Sequence, residues 1–154
     1  MGPSVHLHPV FLVIRVCLGV FFIYVGGEKL FRLDDFAQDV ANYQLVFPPV
    51  DGLVAYFVPW LELFAGLGLV FGRCYRGALL IVVLSLIGFI GGIASAWFRG
   101  LEINCGCFGA SDEVTNYPAH IALNTALVVV ALLLAWEYGR MVMRPPRDPA
   151  VRGA

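Results

Sequence analysis

The 154-residue sequence has few charged residues. They make up only 14% of the chain, against 60% hydrophobic residues, and the net charge is −1. Soluble domains usually carry about 25% charged residues, so this chain lacks the polar surface that a globule of its size needs. The near-zero net charge gives no electrostatic basis for binding nucleic acid. The composition therefore predicts an integral membrane protein whose main partner is the lipid bilayer.

Metal- and cofactor-binding patterns are also scarce. The chain has four cysteines and three histidines. There is no second close cysteine pair to complete the four ligands of a structural zinc site, and no haem or flavin motif. We therefore assign no metal and no certain cofactor from the sequence.

Long apolar segments dominate what is present. A membrane-spanning helix needs about 20 mostly apolar residues, and four segments reach that length: about 8–31, 53–71, 75–98 and 118–141. They predict an all-α fold, a four-transmembrane-helix bundle forming one domain over residues 1–141. The Pro- and Arg-rich residues 142–154 are predicted to be a disordered cytoplasmic tail.

The distribution of arginine predicts the orientation. Four spans place both termini on one side, and most basic residues collect there: Arg73, Arg76, Arg140, Arg144, Arg147 and Arg152. Basic residues favour the cytoplasmic side. We expect a bacterial inner (cell) membrane protein with both termini cytoplasmic and with the loops at residues 32–52 and 99–117 outside.

The first outer loop contains "LDDFAQDVANYQL". Leu33, Phe36 and Val40 recur at helical spacing, and the polar residues, Asp39 among them, take the other side. This pattern predicts a short amphipathic helix lying on the outer membrane surface.

Two cysteines, Cys105 and Cys107, fall in the second outer loop, separated only by Gly106. That side is oxidising, so disulfides form and last there. A disulfide between residues two apart closes almost no loop, so it adds little stability, and such a small ring should be strained. Gly106 and the nearby Gly109 let the backbone bend. Because strained disulfides exchange readily, the pair favours thiol–disulfide chemistry.

Two other roles stay open for these thiols. Together with His120 they could hold Cu(I), which accepts two thiolates, or each could pair with another protein. We rank exchange ahead of metal binding. His120 and Asn124 lie four residues apart at the start of the last span, on a helix face that can look back at the cysteines. An imidazolium there would lower a thiol pKa, whereas the alternative is a histidine that simply faces lipid headgroups.

Two charged residues, Arg15 and Glu62, fall inside predicted spans, where charges usually pair within the bundle. At about 1.5 Å per residue they lie roughly 20 Å and 14 Å below the outer ends of their helices. We therefore predict an intramembrane Arg15–Glu62 pair. Glu28 and Lys29, at the outer end of the first span, are interpreted as interfacial anchors.

Three motifs together resemble the DoxX-like membrane superfamily, most closely its branch of methylamine utilisation protein MauE. They are "LGVFFIYVGGEKL" after Arg15, "PWLELFAGLGLVFG" from Pro59 to Gly72, and "INCGCFG" from Ile103 to Gly109. The resemblance covers about residues 9–140.

The resemblance implies a four-helix membrane protein with an extracytoplasmic redox pair, matched here by Cys105 and Cys107 with Phe108 and Gly109 beside them. It also implies a thioredoxin-like partner and a role in maturing a disulfide-rich periplasmic dehydrogenase. Arg15 and Glu62 match the family's intramembrane charges. Whether the chain is itself an enzyme stays open.

The preferred hypothesis is a membrane thiol–disulfide redox component that serves a thioredoxin-like protein or a client. A membrane quinone is a compatible electron partner, although no residue in the sequence defines a quinone site. One alternative is a non-enzymatic assembly or anchoring subunit of a membrane complex, and another is a Cu(I)-handling membrane protein.

Overall fold

The computed structural model of the chain describes residues 9–45, 47–101 and 116–143. Within them lie five helices: α1 (Pro9–Phe31), α2 (Leu33–Asn42), α3 (Val50–Phe71), α4 (Tyr75–Phe98) and α5 (Tyr117–Met143). This confirms the all-α prediction of four long helices plus a short one. The Cys105–Cys107 segment and the tail after residue 143 lie outside the described residues, so the predicted tail stays a prediction.

The four long helices are long and apolar enough to cross a bilayer. Many large apolar side chains point outward from them, as lipid-facing residues do; Phe64 is 60% exposed and Leu80 is 59% exposed. A helix satisfies its own backbone hydrogen bonds, which is why such a sequence can span lipid in this form. The protein is therefore an integral membrane protein.

The helices pack in the order α1, α3, α4, α5, and α2 lies mainly against α3. α1 and α3 approach closely where Gly19 faces Gly66. A Cβ on Gly66 would lie 2.6 Å from the carbonyl oxygen of Gly19, a distance that no side chain tolerates. Small residues let helix backbones meet in this way in membranes. This contact sets how far α3 is displaced along α1.

The short helix α2 confirms the predicted amphipathic helix, with one correction. Phe36 is buried as expected, but Asp39, assigned to the solvated face, is only 8% exposed. Helical spacing places Asp39 just three residues after Phe36, and the side of α2 that packs on the bundle is wide enough to cover both.

Candidate functional site

A buried ion pair joins α1 to α3 in the half of the bundle near α2. The Nζ atom of Lys29 donates to both carboxylate oxygens of Glu62, at 3.0 Å each. Both side chains are 1% exposed. Because a charge buried in this way is costly unless it is paired and hydrogen-bonded, the bidentate arrangement offsets the cost of placing both side chains inside the bundle.

Two aromatic rings enclose the ammonium group of this pair. Its Nζ atom lies 4.1 Å from the ring centroid of Phe89 on α4 and 4.9 Å from that of Phe36 on α2. Both distances fall in the range of cation–π attraction. Lys29 therefore connects four helices through one positive charge.

The predicted Arg15–Glu62 pair is wrong, because Glu62 binds Lys29 instead. The guanidinium of Arg15 lies against Gly72 and donates to the carbonyl oxygen of Val70 at 3.4 Å. Gly72 is ten residues beyond Glu62, which is about 15 Å along a helix.

The error came from assuming that the outer ends of the helices are level. Gly26, five residues before the end of α1, packs on Glu62, twelve residues after the start of α3. The two helix ends are therefore staggered, and Glu62 lies beside the end of α1. For the same reason the interpretation of Lys29 as an interfacial anchor is wrong, since that residue is buried; its neighbour Glu28 is half-buried.

A cavity of about 360 Å³ lies next to the rings of Phe36 and Phe89. Its walls come from α2, α3, α4 and the segment after α2, and they are almost entirely apolar: Phe36, Val40, Tyr43, Leu45, Val54, Val58, Leu84, Ser85, Gly88, Phe89 and Gly92. Its size lies within the usual range of small-molecule sites, about 300–1,000 Å³.

Two titratable residues of the α2 region lie near this cavity. Burial raises the pKa of the Asp39 carboxyl to about 6; the Asp35 carboxylate adds to the shift and the Arg32 guanidinium opposes it. Burial, and then the charge of Asp39, also raise the pKa of the Tyr43 hydroxyl. An acid with a pKa near 6 can give or take a proton at physiological pH.

Three further hydrogen bonds hold the chain where α4 ends and α5 begins. Arg99 donates from Nη1 to the carbonyl oxygen of Tyr43 at 2.7 Å and from Nη2 to the side-chain oxygen of Gln44 at 3.2 Å. The hydroxyl of Tyr117 donates to the carbonyl oxygen of Leu101. Leu101 and Tyr117, the residues that this hydrogen bond joins, therefore lie side by side at this end of the bundle.

His120 and Asn124 lie one turn apart on α5, beside this point. Asn124 is 1% exposed, and its Nδ2 donates to the backbone carbonyl of His120 at 2.8 Å. Its Oδ1 is buried and has no hydrogen-bond partner among the described residues. Because a buried acceptor normally has a donor, this atom marks a place where a further polar group fits.

The predicted redox residues Cys105, Gly106, Cys107, Phe108 and Gly109 lie outside the described residues. Cys17 and Cys74, which are described, are exposed free thiols. No cluster of three or more potential metal ligands occurs in the described ranges. The Cu(I) alternative depends on the cysteine segment, so it is not tested.

Sequence reasoning missed the Lys29–Glu62 pair and the cavity. The sequence held a signal for the pair: Lys29 lies in the last turn of a predicted span, and a long lysine side chain there can reach back along an apolar surface toward a buried partner. The cavity had a weaker signal in two glycines, Gly88 and Gly92, which flank Phe89 on one face of α4.

Comparison with known proteins gives one match. The family model described as methylamine utilisation protein MauE matches residues 7–137. No curated protein and no solved structure matches the chain significantly.

Proposed function

Because the chain belongs to the MauE family of methylamine utilisation proteins, we propose that it is a membrane thiol–disulfide redox component. Its reactive group is the Cys105–Gly106–Cys107 tripeptide. Its partner is an extracytoplasmic thioredoxin-like protein, or a client protein whose disulfides are being formed.

The reaction is a two-step exchange. A thiolate of the partner attacks one sulfur of the Cys105–Cys107 disulfide, forming a mixed disulfide and releasing the other cysteine as a thiolate. The partner's second thiolate then attacks the mixed disulfide. The partner ends with one new S–S bond, and the Cys105/Cys107 pair carries two more electrons and, after protonation, two protons. The reverse sequence reduces the partner.

The observation that carries the proposal is the family match over residues 7–137, a range that includes the tripeptide. Described residues close to it in sequence on either side support the proposal, because Tyr117 donates a hydrogen bond to Leu101 and Arg99 ties the same end of α4 to the chain after α2.

The arginine distribution supports the required orientation. The link between α3 and α4 carries Arg73 and Arg76, and Arg140 lies near the end of α5. By the positive-inside rule that side is cytoplasmic. The opposite end, where Leu101 and Tyr117 lie, is then in the oxidising compartment, where the exchange we propose can operate.

The first test measures the redox state of the pair in cells. In a Cys17→Ser, Cys74→Ser background only Cys105 and Cys107 remain, so a mass-shifting, membrane-impermeant alkylating reagent reports on them alone. We expect a mixture of oxidised and reduced protein that shifts to the doubly labelled form when reductant is added. Permanent double labelling with co-purified copper would favour the Cu(I) alternative.

The second test traps the partner. A lone Cys105→Ser or Cys107→Ser substitution leaves a thiol that cannot resolve its mixed disulfide, so we expect a reductant-sensitive adduct with an extracytoplasmic protein. The Cys105→Ser, Cys107→Ser double variant is the matched control and should form none. If the double variant still sustained normal disulfide formation in the partner, the protein would instead be a non-enzymatic assembly subunit.

A further inference from the structure

The cavity is open to the lipid. Leu45 and Leu84, on its rim, are 51% and 58% exposed, and their apolar side chains would face acyl chains. Gly88 is also exposed, and a Cβ built on it meets nothing within 4 Å. This side of the cavity therefore offers an apolar route by which a molecule dissolved in the bilayer could enter.

The walls favour a flat ring. Phe36, Phe89 and Tyr43 contribute three aromatic side chains to one small cavity, and aromatic groups stack on planar ligands. Ser85 and the hydroxyl of Tyr43 are the only side-chain oxygens among the described lining residues. Few polar groups in an apolar wall are the usual means of orienting a bound ring.

A fixed positive charge lies behind two of these walls. The ammonium of Lys29 contacts the rings of both Phe36 and Phe89, so the buried ion pair presents its positive end toward the cavity. A cation in a low-dielectric site stabilises negative charge that develops nearby during a reaction. A saturated acyl chain would gain nothing from this charge, whereas a ring that accepts electrons would.

A proton source lies at the same end. The buried carboxyl of Asp39 lies in α2 three residues after Phe36 and four residues before Tyr43, both of which line the cavity. A ring that becomes doubly reduced must also take up two protons, so an acid close to its edge completes the set of groups that such a reaction needs.

From these features we propose that the cavity binds the ring of a membrane quinone. Resting on the proposed function, the quinone is the electron acceptor for the Cys105/Cys107 dithiol. The dithiol loses two electrons and two protons and forms one S–S bond. The quinone gains them and leaves as the quinol.

The position of the cavity is compatible with this transfer. Gly92, on its wall, lies six residues before Phe98 at the end of α4, which is about 9 Å along the helix. Leu101, the last described residue before the segment that bears the cysteines, follows just beyond. The cavity and Leu101 therefore belong to the same end of the bundle.

Two neighbouring glycines provide a matched test of binding. Gly88→Leu fills the cavity, whereas Gly91→Leu adds the same side chain to the same helix at an exposed position with open space, outside the cavity lining. Each protein in lipid nanodiscs is titrated with a benzoquinone that carries a short alkyl tail, and saturable quenching of tryptophan fluorescence is measured. We expect the dissociation constant to rise about tenfold or more in Gly88→Leu, which corresponds to about 1.4 kcal/mol or more, because the leucine side chain takes up space that the ring would occupy; it should stay within about twofold in Gly91→Leu.

A second variant and a second ligand sharpen the result. Phe89→Leu keeps the wall apolar but removes the ring between Lys29 and the cavity, and it should also weaken binding. An alkylbenzene with the same tail but no quinone oxygens should bind poorly. The proposal would be overturned if the quinone bound equally well to wild type and Gly88→Leu, or if the alkylbenzene displaced the quinone at equal concentration. The cavity would then be a site for lipid acyl chains.

A redox arm separates this inference from the proposed function. Reduced wild-type protein mixed anaerobically with the quinone should yield one quinol for each disulfide formed, and at a quinone concentration near the wild-type dissociation constant Gly88→Leu should form quinol several-fold more slowly. Binding should persist in the Cys105→Ser, Cys107→Ser variant. Exchange with a thioredoxin-like protein but no quinol formation would overturn the quinone as acceptor. If the quinone bound but Cys105 and Cys107 exchanged with no partner protein, the proposed function would be contradicted instead.

Discussion

Each half of α1 packs a basic side chain against α3, Lys29 fully buried and Arg15 partly buried, and the two are accommodated differently. Near α2, Lys29 has a bidentate carboxylate partner and two aromatic neighbours. At the other end, Arg15 has a backbone carbonyl at the end of α3 and the ring of Tyr75 at 5.9 Å, and its Nε lacks a hydrogen-bond partner among the described residues.

The difference indicates separate roles. The last carbonyls of a helix carry a partial negative charge, so Arg15 is neutralised by the α3 terminus without an acidic partner. It lies next to the well-packed rings of Tyr75 and Tyr138, whose centroids are 4.7 Å apart. Lys29 instead lies beside a cavity. We infer that the contacts of Arg15 stabilise the packing of the helices, whereas those of Lys29 support the proposed ligand cavity.

The largest expected effect comes from breaking the Lys29–Glu62 pair. Glu62→Gln leaves an ammonium buried without its counter-ion, and Lys29→Met leaves a buried carboxylate. Each should cost about 3–5 kcal/mol of folding stability, measured as a lower melting temperature and a lower yield of monodisperse protein in detergent.

The control for this prediction removes both charges. Lys29→Met combined with Glu62→Met should lose much less stability than either single change, because no uncompensated charge is left. A double variant as unstable as the single ones would show that the two residues matter for packing rather than for their charges.

Substitution at the close contact between α1 and α3 should have the next largest effect. Gly66→Ala would push a methyl group against the backbone of Gly19 and Ile23, and overpacking of this kind costs about 1–3 kcal/mol. Gly77→Ala is the control, because its Cβ would meet nothing within 4 Å. Equal melting temperatures for the two variants would mean that this contact does not set the stagger between the ends.

Much of the fold follows from sequence pattern alone. Four apolar segments of spanning length and one amphipathic segment predicted the five helices to within three residues at each described end. Patterns of this kind indicate whether a segment faces lipid or water, and a helix that spans lipid must be both long and apolar.

The stagger of the helices was not predictable in the same way. The stagger depends on which glycines of α1 pack against which residues of α3. Here Gly19 packs against Gly66 and Gly26 packs against Glu62, but the sequence has several other glycines with similar spacing that could make such contacts. An error of a few residues in stagger exchanged Lys29 for Arg15 as the partner of Glu62. The cavity depends on the same stagger, so it was equally hidden.

The titration of Asp39 offers a smaller effect, local to α2. Its pKa is raised from 3.8 to about 6 in the folded protein, so folding favours the protonated form. The docking of α2 should therefore be strongest below about pH 4, weaken as the pH rises to about 6, and then level off. The full pKa difference corresponds to about 3 kcal/mol, and we expect about 1–2 kcal/mol of it because solvent screens this site at the membrane surface.

Asp39→Asn removes this titration and should hold α2 more tightly at neutral pH. Hydrogen exchange of the α2 amides, corrected for the intrinsic pH dependence of exchange, measures the effect. Asp34→Asn is the control, since that carboxylate is exposed. An identical pH profile in wild type and Asp39→Asn would contradict the assignment.

Substitution of Arg15 should have the smallest effect and tests the comparison most directly. Arg15→Gln loses an interaction with a helix terminus and a long cation–π contact, together worth about 1 kcal/mol, well below the cost of Glu62→Gln. Arg15→Lys should recover part of this loss, because the terminus responds to charge. The effects of Arg15→Gln and Glu62→Gln should add within about 0.5 kcal/mol, as they do for residues that share no partner. A larger coupling in melting experiments would mean that the two ends of α1 communicate and that Glu62 serves both cations.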